Sequence, residues 1–213
     1  MRRPHWSSSS DHSLVVSLGD DVCLSTHERV VRLSRLLEGI PEFLNIHPSY
    51  NAVLISYDPR RTAYGRVESL LGNALQKMDS VELPAPRTVE VPVHYDGRDL
   101  ADVAALHGMT VGEVIRIHSG ADYLVYFLGF SPGFPYLGGM PPEIATPRLA
   151  TPRHHVPAGS VGIGGDQTGI YPVASPGGWR IIGRTPLEIF RADRDPLTLV
   201  RMGDHVRFVA AAG

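Results

Sequence analysis

The chain predicts two successive fold classes, an α+β unit followed by a mainly-β unit. Three observations carry this. Before residue 84, short strand-like runs alternate with two amphipathic helical stretches. Leu83-Pro84-Ala85-Pro86-Arg87 then interrupts every pattern and reads as a linker. Beyond it, short apolar runs are punctuated by Gly and Pro, as in a closed barrel or sandwich. The expected division is a disordered start over 1–11, an α+β unit over 12–84 and a β unit over 88–213.

Taken in order, Ser13 to Leu18 alternates, with Leu14, Val16 and Leu18 on one face, as a half-buried strand does. Ser25 and Glu28 have capping-box spacing before Val30, Val31, Leu33, Leu36 and Leu37, which predicts a helix over 26–38. Strands follow at 43–47 and 52–57, then a helix over 64–78 with Val67, Leu70, Leu71, Ala74, Leu75 and Met78 on one side. Val81 to Leu83 would close the unit as a last strand. The order β-α-β-β-α-β is that of a ferredoxin-like sandwich. In the second unit Thr88 to His94 alternates, and helices are expected over 100–107 and from Thr110, where Glu113 has capping-box spacing. Tyr123 to Phe130 reads as a strand buried on both faces. The runs 187–190, 197–201 and 205–209 read as closing strands.

Composition narrows the function. With 43% hydrophobic and 20% charged residues the chain is an ordinary globular protein. A net charge of −2 and a pI of about 6.5 favour neither nucleic acid nor an anionic membrane. No apolar run approaches the ~20 residues that span a bilayer. Cys23 is the lone cysteine, so neither an internal disulfide nor a cysteine zinc site is expected, and a reducing cytoplasm fits. Of the 20 basic residues only Lys77 is a lysine. No phosphate loop of the G-x-x-x-x-G-K-[ST] type occurs, and nothing around Lys77 suggests the buried, activated amine of a Ser-Lys pair, so self-sufficient chemistry of those kinds is not expected.

The stretch Phe127 to Pro186 carries the candidate chemistry. Its many Gly and Pro residues specify individual bends, with Tyr, Trp, His and Arg side chains set between them. His118 ends a short helix, where it either serves the helix dipole or faces the loops as an acid, base or phosphate contact. Arg148, Arg153, Arg180 and Arg184 are either solvated surface or a set of guanidinium groups for carboxylate or phosphate oxygens. The backbone donors of Gly162, Gly164, Gly165 and Gly169 could add to such an anion cradle. Gln167 either braces its own turn or holds an amide substrate. Adjacent His154 and His155 point to opposite faces of a strand, so no metal site is expected.

The segments GFSPGFPYLGGMP, ATPR, VPAGSVGIGGDQTGIYP and SPGGWRIIGRTP, in that order, resemble the 5-oxoprolinase B-subunit family. That family is also called allophanate hydrolase subunit 1 or the Kip-type inhibitor of a sporulation histidine kinase. The likeness extends to GDDVCLSTHERVVRL and IRIHSGADYLVYFLGF. It implies a ferredoxin-like domain followed by a cyclophilin-like β-barrel. It also implies two partners from the same enzyme, its C subunit (allophanate hydrolase subunit 2) and its separate A subunit. ATP with Mg, shared with the partner, would then serve in opening 5-oxoproline. On that reading the chain is inactive alone. His118 and Gln167 are the catalytic pair, and Arg153, Arg180, Arg184 and Tyr171 bind substrate or phosphate. The alternatives are a complex acting on allophanate or a urea-derived amide, and a protein-binding kinase inhibitor.

Overall fold

The computed structural model describes Arg3 to Ala211. The chain forms two compact units, Met1–Ala85 and Pro86–Gly213. The first holds strands β1 (His5–Ser10) and β2 (Ser13–Ser17), helix α1 (Leu24–Leu37), strands β3 (Phe43–Pro48) and β4 (Ala52–Tyr57), and helix α2 (Tyr64–Lys77). Its sheet has the order β1-β2-β4-β3, antiparallel throughout. Leu14, Val16, Val53 and Ile55 lie fully buried, as do Val30, Leu33, Val67 and Leu71 of the helices. The helical periodicity of the sequence thus marks the faces that bury apolar surface.

Three expectations for this unit are corrected. His5–Ser10 is a strand where disorder is expected; its serines and Trp6 pair along β2. Met1 and Arg2 lie outside the described residues. Val81–Leu83 is not a strand, and β1 borders β2 at the sheet edge that a closing strand would take in a ferredoxin-like order. The capping box at Ser25 and Glu28 is absent, because α1 begins earlier, with Cys23 at its N-cap.

The second unit contains β5 (Thr88–Val93), α3 (Leu100–Leu106), α4 (Val111–Gly120), β6 (Tyr123–Leu128), β7 (Pro135–Gly138), β8 (Arg153–Val156), β9 (Ser160–Ile163), β10 (Thr168–Ile170), β11 (Ser175–Gly177), β12 (Arg180–Arg184) and β13 (His205–Ala210). Seven strands form one sheet in the order β12-β9-β10-β7-β6-β13-β5. Its two edges meet where His94 and Arg184 exchange backbone hydrogen bonds of 2.9 Å each way. The result is a nearly closed barrel. β8 and β11 form a separate two-stranded ribbon.

The barrel is filled by Val91, Val93, Tyr123, Val125, Leu137, Val161, Ile163, Ile182 and Phe208, with Val103 of α3 and Val114 of α4 packed on them. α4 starts as its sequence predicts: Thr110 accepts from the Glu113 backbone at 3.2 Å, and the Glu113 carboxylate accepts from the Thr110 backbone at 2.7 Å. Two strand expectations fail. β6 ends at Leu128 and alternates between buried and half-buried positions rather than being buried on both faces. The runs 187–190 and 197–201 contribute one isolated bridge, Phe190 to Thr198, flanked by backbone hydrogen bonds from Arg191 to Leu197 and from Leu199 to Ile189, with the Arg194 side chain also on the Glu188 and Ile189 carbonyls.

Candidate functional site

Glycine placement in the central stretch has a steric cause. A Cβ on Gly164 would stand 2.6 Å from the Trp179 indole, and one on Gly169 would stand 3.1 Å from both Trp179 and Phe134. A Cβ on Gly177 would overlap the Tyr171 hydroxyl. These glycines therefore admit large rings lying directly across the backbone. Phe134, Val156, Tyr171, Trp179 and Ile181 form a small apolar cluster of their own, with Tyr136 packed on it. Phe134 sits edge-on to Tyr171 and Trp179, at 5.3 and 5.4 Å between ring centres.

The expected glycine cradle does not exist. Gly164 N–H donates to the Gln167 carbonyl at 2.9 Å and Gly165 N–H to the Thr146 carbonyl at 2.8 Å. Gly162 and Gly169 face each other in the β9–β10 pairing. Backbone donors already engaged in turns and ladders cannot also grip an anion.

The aromatic cluster borders a cavity of about 290 Å³, lined by the rings of Phe130, Phe134, Tyr136, Tyr171 and Trp179 together with Pro152, Pro176 and Arg148. Arg148 is its one charged wall residue. The segment bearing it is clamped at both ends: Thr146 exchanges two backbone hydrogen bonds with Gly165, and Leu149 N–H donates to Gly178 at 2.7 Å. The guanidinium is thereby held 5.7 Å from the centre of the Trp179 ring. Tyr171 is buried, and burial raises its phenol above the ordinary value, against the pull of the Trp179 backbone, Arg148 and Arg153.

The three arginines assigned to binding from the sequence all have acidic partners. Arg153 makes a two-pronged pair with Asp99, at 2.6 and 2.9 Å, and Asp99 also accepts from Ile181 N–H at 2.7 Å. Asp99 is 4% exposed, so this is a structural clasp between the start of α3, β8 and β12. Arg184 pairs with Asp96 at 2.8 Å on the surface, and Arg180 stands 3.8 Å from Asp102. Arg153 and Arg184 line a second cavity of about 300 Å³ with Arg98 and His155. Arg180 lies apart from both cavities, beside Asp102 and Leu106. Among the described residues no Asp or Glu pairs with Arg148. That distinction is invisible in sequence, where all four arginines look alike.

His118 occupies the barrel core, at 0% exposure, and lines neither cavity. Thr168 Oγ1 donates to the Gly162 carbonyl at 3.1 Å, so it accepts from His118 Nε2 at 2.8 Å. His118 Nδ1 then accepts from the Tyr95 hydroxyl at 2.8 Å. Both ring nitrogens are satisfied by a one-way chain of donors, Tyr95 to His118 to Thr168 to Gly162. Burial pushes its pKa down to about 3. The position at the end of α4 misled because the i, i+4 pair Val114 and His118 is the helix face buried in the barrel. His118 is corrected from proton-transfer group to a neutral brace of Thr168. Gln167 adjoins Thr168 in the β9–β10 turn, half-buried and outside both cavities.

Among the described residues no group of three His, Cys, Asp or Glu side chains is placed to hold a metal ion, and no helix is long and apolar enough to cross a membrane.

The family described as carboxyltransferase domain, subdomain C and D, matches residues 4–200. The chain is 43% identical to the B subunit of 5-oxoprolinase from Escherichia coli O157:H7, over 98% of this chain and 97% of that protein. It is 38% identical to the B subunit of 5-oxoprolinase from Bacillus subtilis (strain 168), over 93% of this chain and 89% of that one. Among solved structures, that of TTHA0988 superimposes with a TM-score of 0.83 at 37% identity; the match spans 94% of this chain and 40% of that longer one. The Kluyveromyces lactis urea carboxylase shares the fold, with a TM-score of 0.75 at 18% identity, over 98% of this chain and 22% of that one. On this sequence and structural likeness, the chain belongs to the 5-oxoprolinase B-subunit family, within the carboxyltransferase subdomain C and D proteins.

Proposed function

We propose that this chain is the lactam-binding component of an ATP-dependent 5-oxoprolinase, and that the aromatic cavity holds 5-oxoproline. The observation that carries this reading is Arg148, a guanidinium free of any carboxylate among the described residues and fixed over the wall of an aromatic pocket. 5-Oxoproline is a small, flat, five-membered ring bearing one carboxylate. Trp179, Tyr171 and Phe134 suit its ring, and Arg148 its carboxylate. A cavity of about 290 Å³ lies at the lower end of the small-ligand range.

A lactam is a stable amide, and a phosphoryl group transferred from ATP to its oxygen makes the ring carbon electrophilic. The glycine-rich turn does not fit a triphosphate, because its backbone donors are engaged. We therefore assign ATP and its Mg to partner chains, the C and A subunits of the same enzyme. This chain's part is to bind and orient the lactam and to exclude water from its ring face. Two considerations support a shared site. The relatives carry the name of one subunit among several, and the matched part is 40% of the longer TTHA0988 chain. The ferredoxin-like and cyclophilin-like descriptions of the two units belong to the same reading.

The test measures ADP and glutamate release from 5-oxoproline and ATP, using this chain alone, with the C subunit, and with the A and C subunits together. Turnover is expected only from the assembled chains, and full turnover by this chain alone refutes the shared site. Arg148→Gln is expected to raise KM for 5-oxoproline by about ten- to a hundred-fold, the loss of one charge-assisted carboxylate contact. An unchanged KM refutes the pocket. Allophanate run as a competing substrate distinguishes the other amide chemistry.

A further inference from the structure

The loop between β6 and β7 holds a backbone anomaly at the rim of the aromatic cavity. Phe130 has φ 64°, the one positive value at a non-glycine position among the described residues. Ser131 N–H donates to the Gly129 carbonyl at 2.7 Å, two residues back. Phe130 is thus the centre of a γ-turn of the rare, strained hand. The next turn is relaxed: Phe134 N–H donates to Ser131 at 3.0 Å, Pro132 takes the first central position, and Gly133 the second with φ 78°. Gly129 N–H closes the loop on the Phe134 carbonyl at 3.0 Å. A Cβ on Gly133 would stand 2.8 Å from Cβ of Phe190, so the loop is seated firmly on that residue.

Glycine would relieve the strain at 130, as it does at 133, yet the chain carries a phenylalanine there. Burial does not account for the choice, because the residue is 64% exposed. Its ring stands edge-on to Phe134, 5.5 Å between centres, and lines the same cavity as Arg148. Strain retained for an exposed ring at a pocket mouth points to a use for that ring.

We infer that Phe130 is a specificity-determining residue: a fixed aromatic rim that packs against the methylene edge of the bound lactam and sets the ring size the pocket accepts. This inference rests on the reading of the cavity as the 5-oxoproline site. The strained turn holds the ring at the mouth, where a flexible loop would let it swing away.

The experiment compares Phe130→Gly, Phe130→Ala and Phe130→Leu in the assembled complex, with Arg148→Gln alongside. The substrate is 5-oxoproline, and its six-membered homologue, 6-oxopiperidine-2-carboxylate, is the competing ligand. The Gly and Ala variants are expected to raise KM for 5-oxoproline about ten-fold with kcat within about two-fold, and to narrow discrimination against the larger ring about ten-fold. The Leu variant should recover part of both. In thermal melts of the chain, Phe130→Gly should unfold at a higher temperature than Phe130→Ala, because both lack the ring and only glycine relieves the positive φ. If KM stays constant in the Gly and Ala variants while Arg148→Gln raises it, the pocket stands and the role of Phe130 is refuted. If neither position alters KM, the pocket reading itself falls. If the KM defect disappears at higher partner concentration, Phe130 serves docking of the partner chain and the inference is overturned.

Discussion

Lowering the pH from 7 to 5 should destabilise the barrel unit through His118, in a way that two substitutions cancel. In the unfolded chain this histidine titrates near its ordinary value of 6.5, whereas in the barrel its pKa is about 3. Between those values the unfolded state binds a proton that the folded state refuses. Stability is therefore fully present above about pH 6.5 and is lost as the pH falls toward 3. Integrated from pH 7 to pH 5, a single such group removes about 2 kcal/mol. The structural reason is burial: the His118 ring lies in the barrel core, where no solvent offsets the charge of a second ring proton and both ring nitrogens are already engaged, by Tyr95 and Thr168. The perturbation is His118→Leu combined with Tyr95→Phe. It removes both polar partners and leaves Thr168 its bond to Gly162, so no buried group is orphaned. Urea unfolding of both proteins at pH 7 and pH 5 is the assay. The variant should lose about 2 kcal/mol less than the parent over this interval. His27 of α1, buried and pushed down to about 4, contributes in both proteins and cancels. Parallel losses would refute the account of His118 as a buried neutral brace. Tyr95→Phe alone should retain the parent's slope, since the imidazole stays buried.

Two further outcomes follow from packing and charge. Gly164→Ala should drive the Trp179 ring out of place, since its Cβ would stand 2.6 Å from the indole; a loss of about 1–3 kcal/mol is expected with a shift in Trp179 fluorescence, read in a Trp6→Phe background. Asp99→Ala should cost about 3–5 kcal/mol in urea unfolding by leaving Arg153 part-buried and unpaired, whereas Arg184→Ala, which breaks an exposed pair, should change stability by less than about 1 kcal/mol.

The elements legible in the sequence are those whose cause is local. The Thr110–Glu113 capping box joins residues three apart, so its spacing alone announces the start of α4. α1 and α2 show the 3.6-residue period because each buries one stripe. The importance of Phe127 to Pro186 was also legible, because dense Gly and Pro mean individually set bends. What those glycines do was not. They make room for Trp179 and Tyr171, and such clearance exists only once β9, β10 and β12 lie side by side.

The identity of the site residues was decided by contacts between distant positions. Asp99 is 54 residues from Arg153, and His118 is 50 from Thr168. Nothing in a local window tells which arginine meets a carboxylate, so Arg153 and Arg148 read alike until the barrel closes. Spacing likewise placed His118 at a helix end but could not say that this helix face turns inward. Periodicity specifies what each segment buries, while the partners of a polar side chain depend on which segments the closed sheet brings together. The sequence therefore determined the two classes of unit, the helices and the stretch that carries the site. The tertiary structure alone decided that, of the four arginines, Arg148 is the one that lies over Trp179 with no carboxylate partner among the described residues, on a cavity that Phe130 also lines.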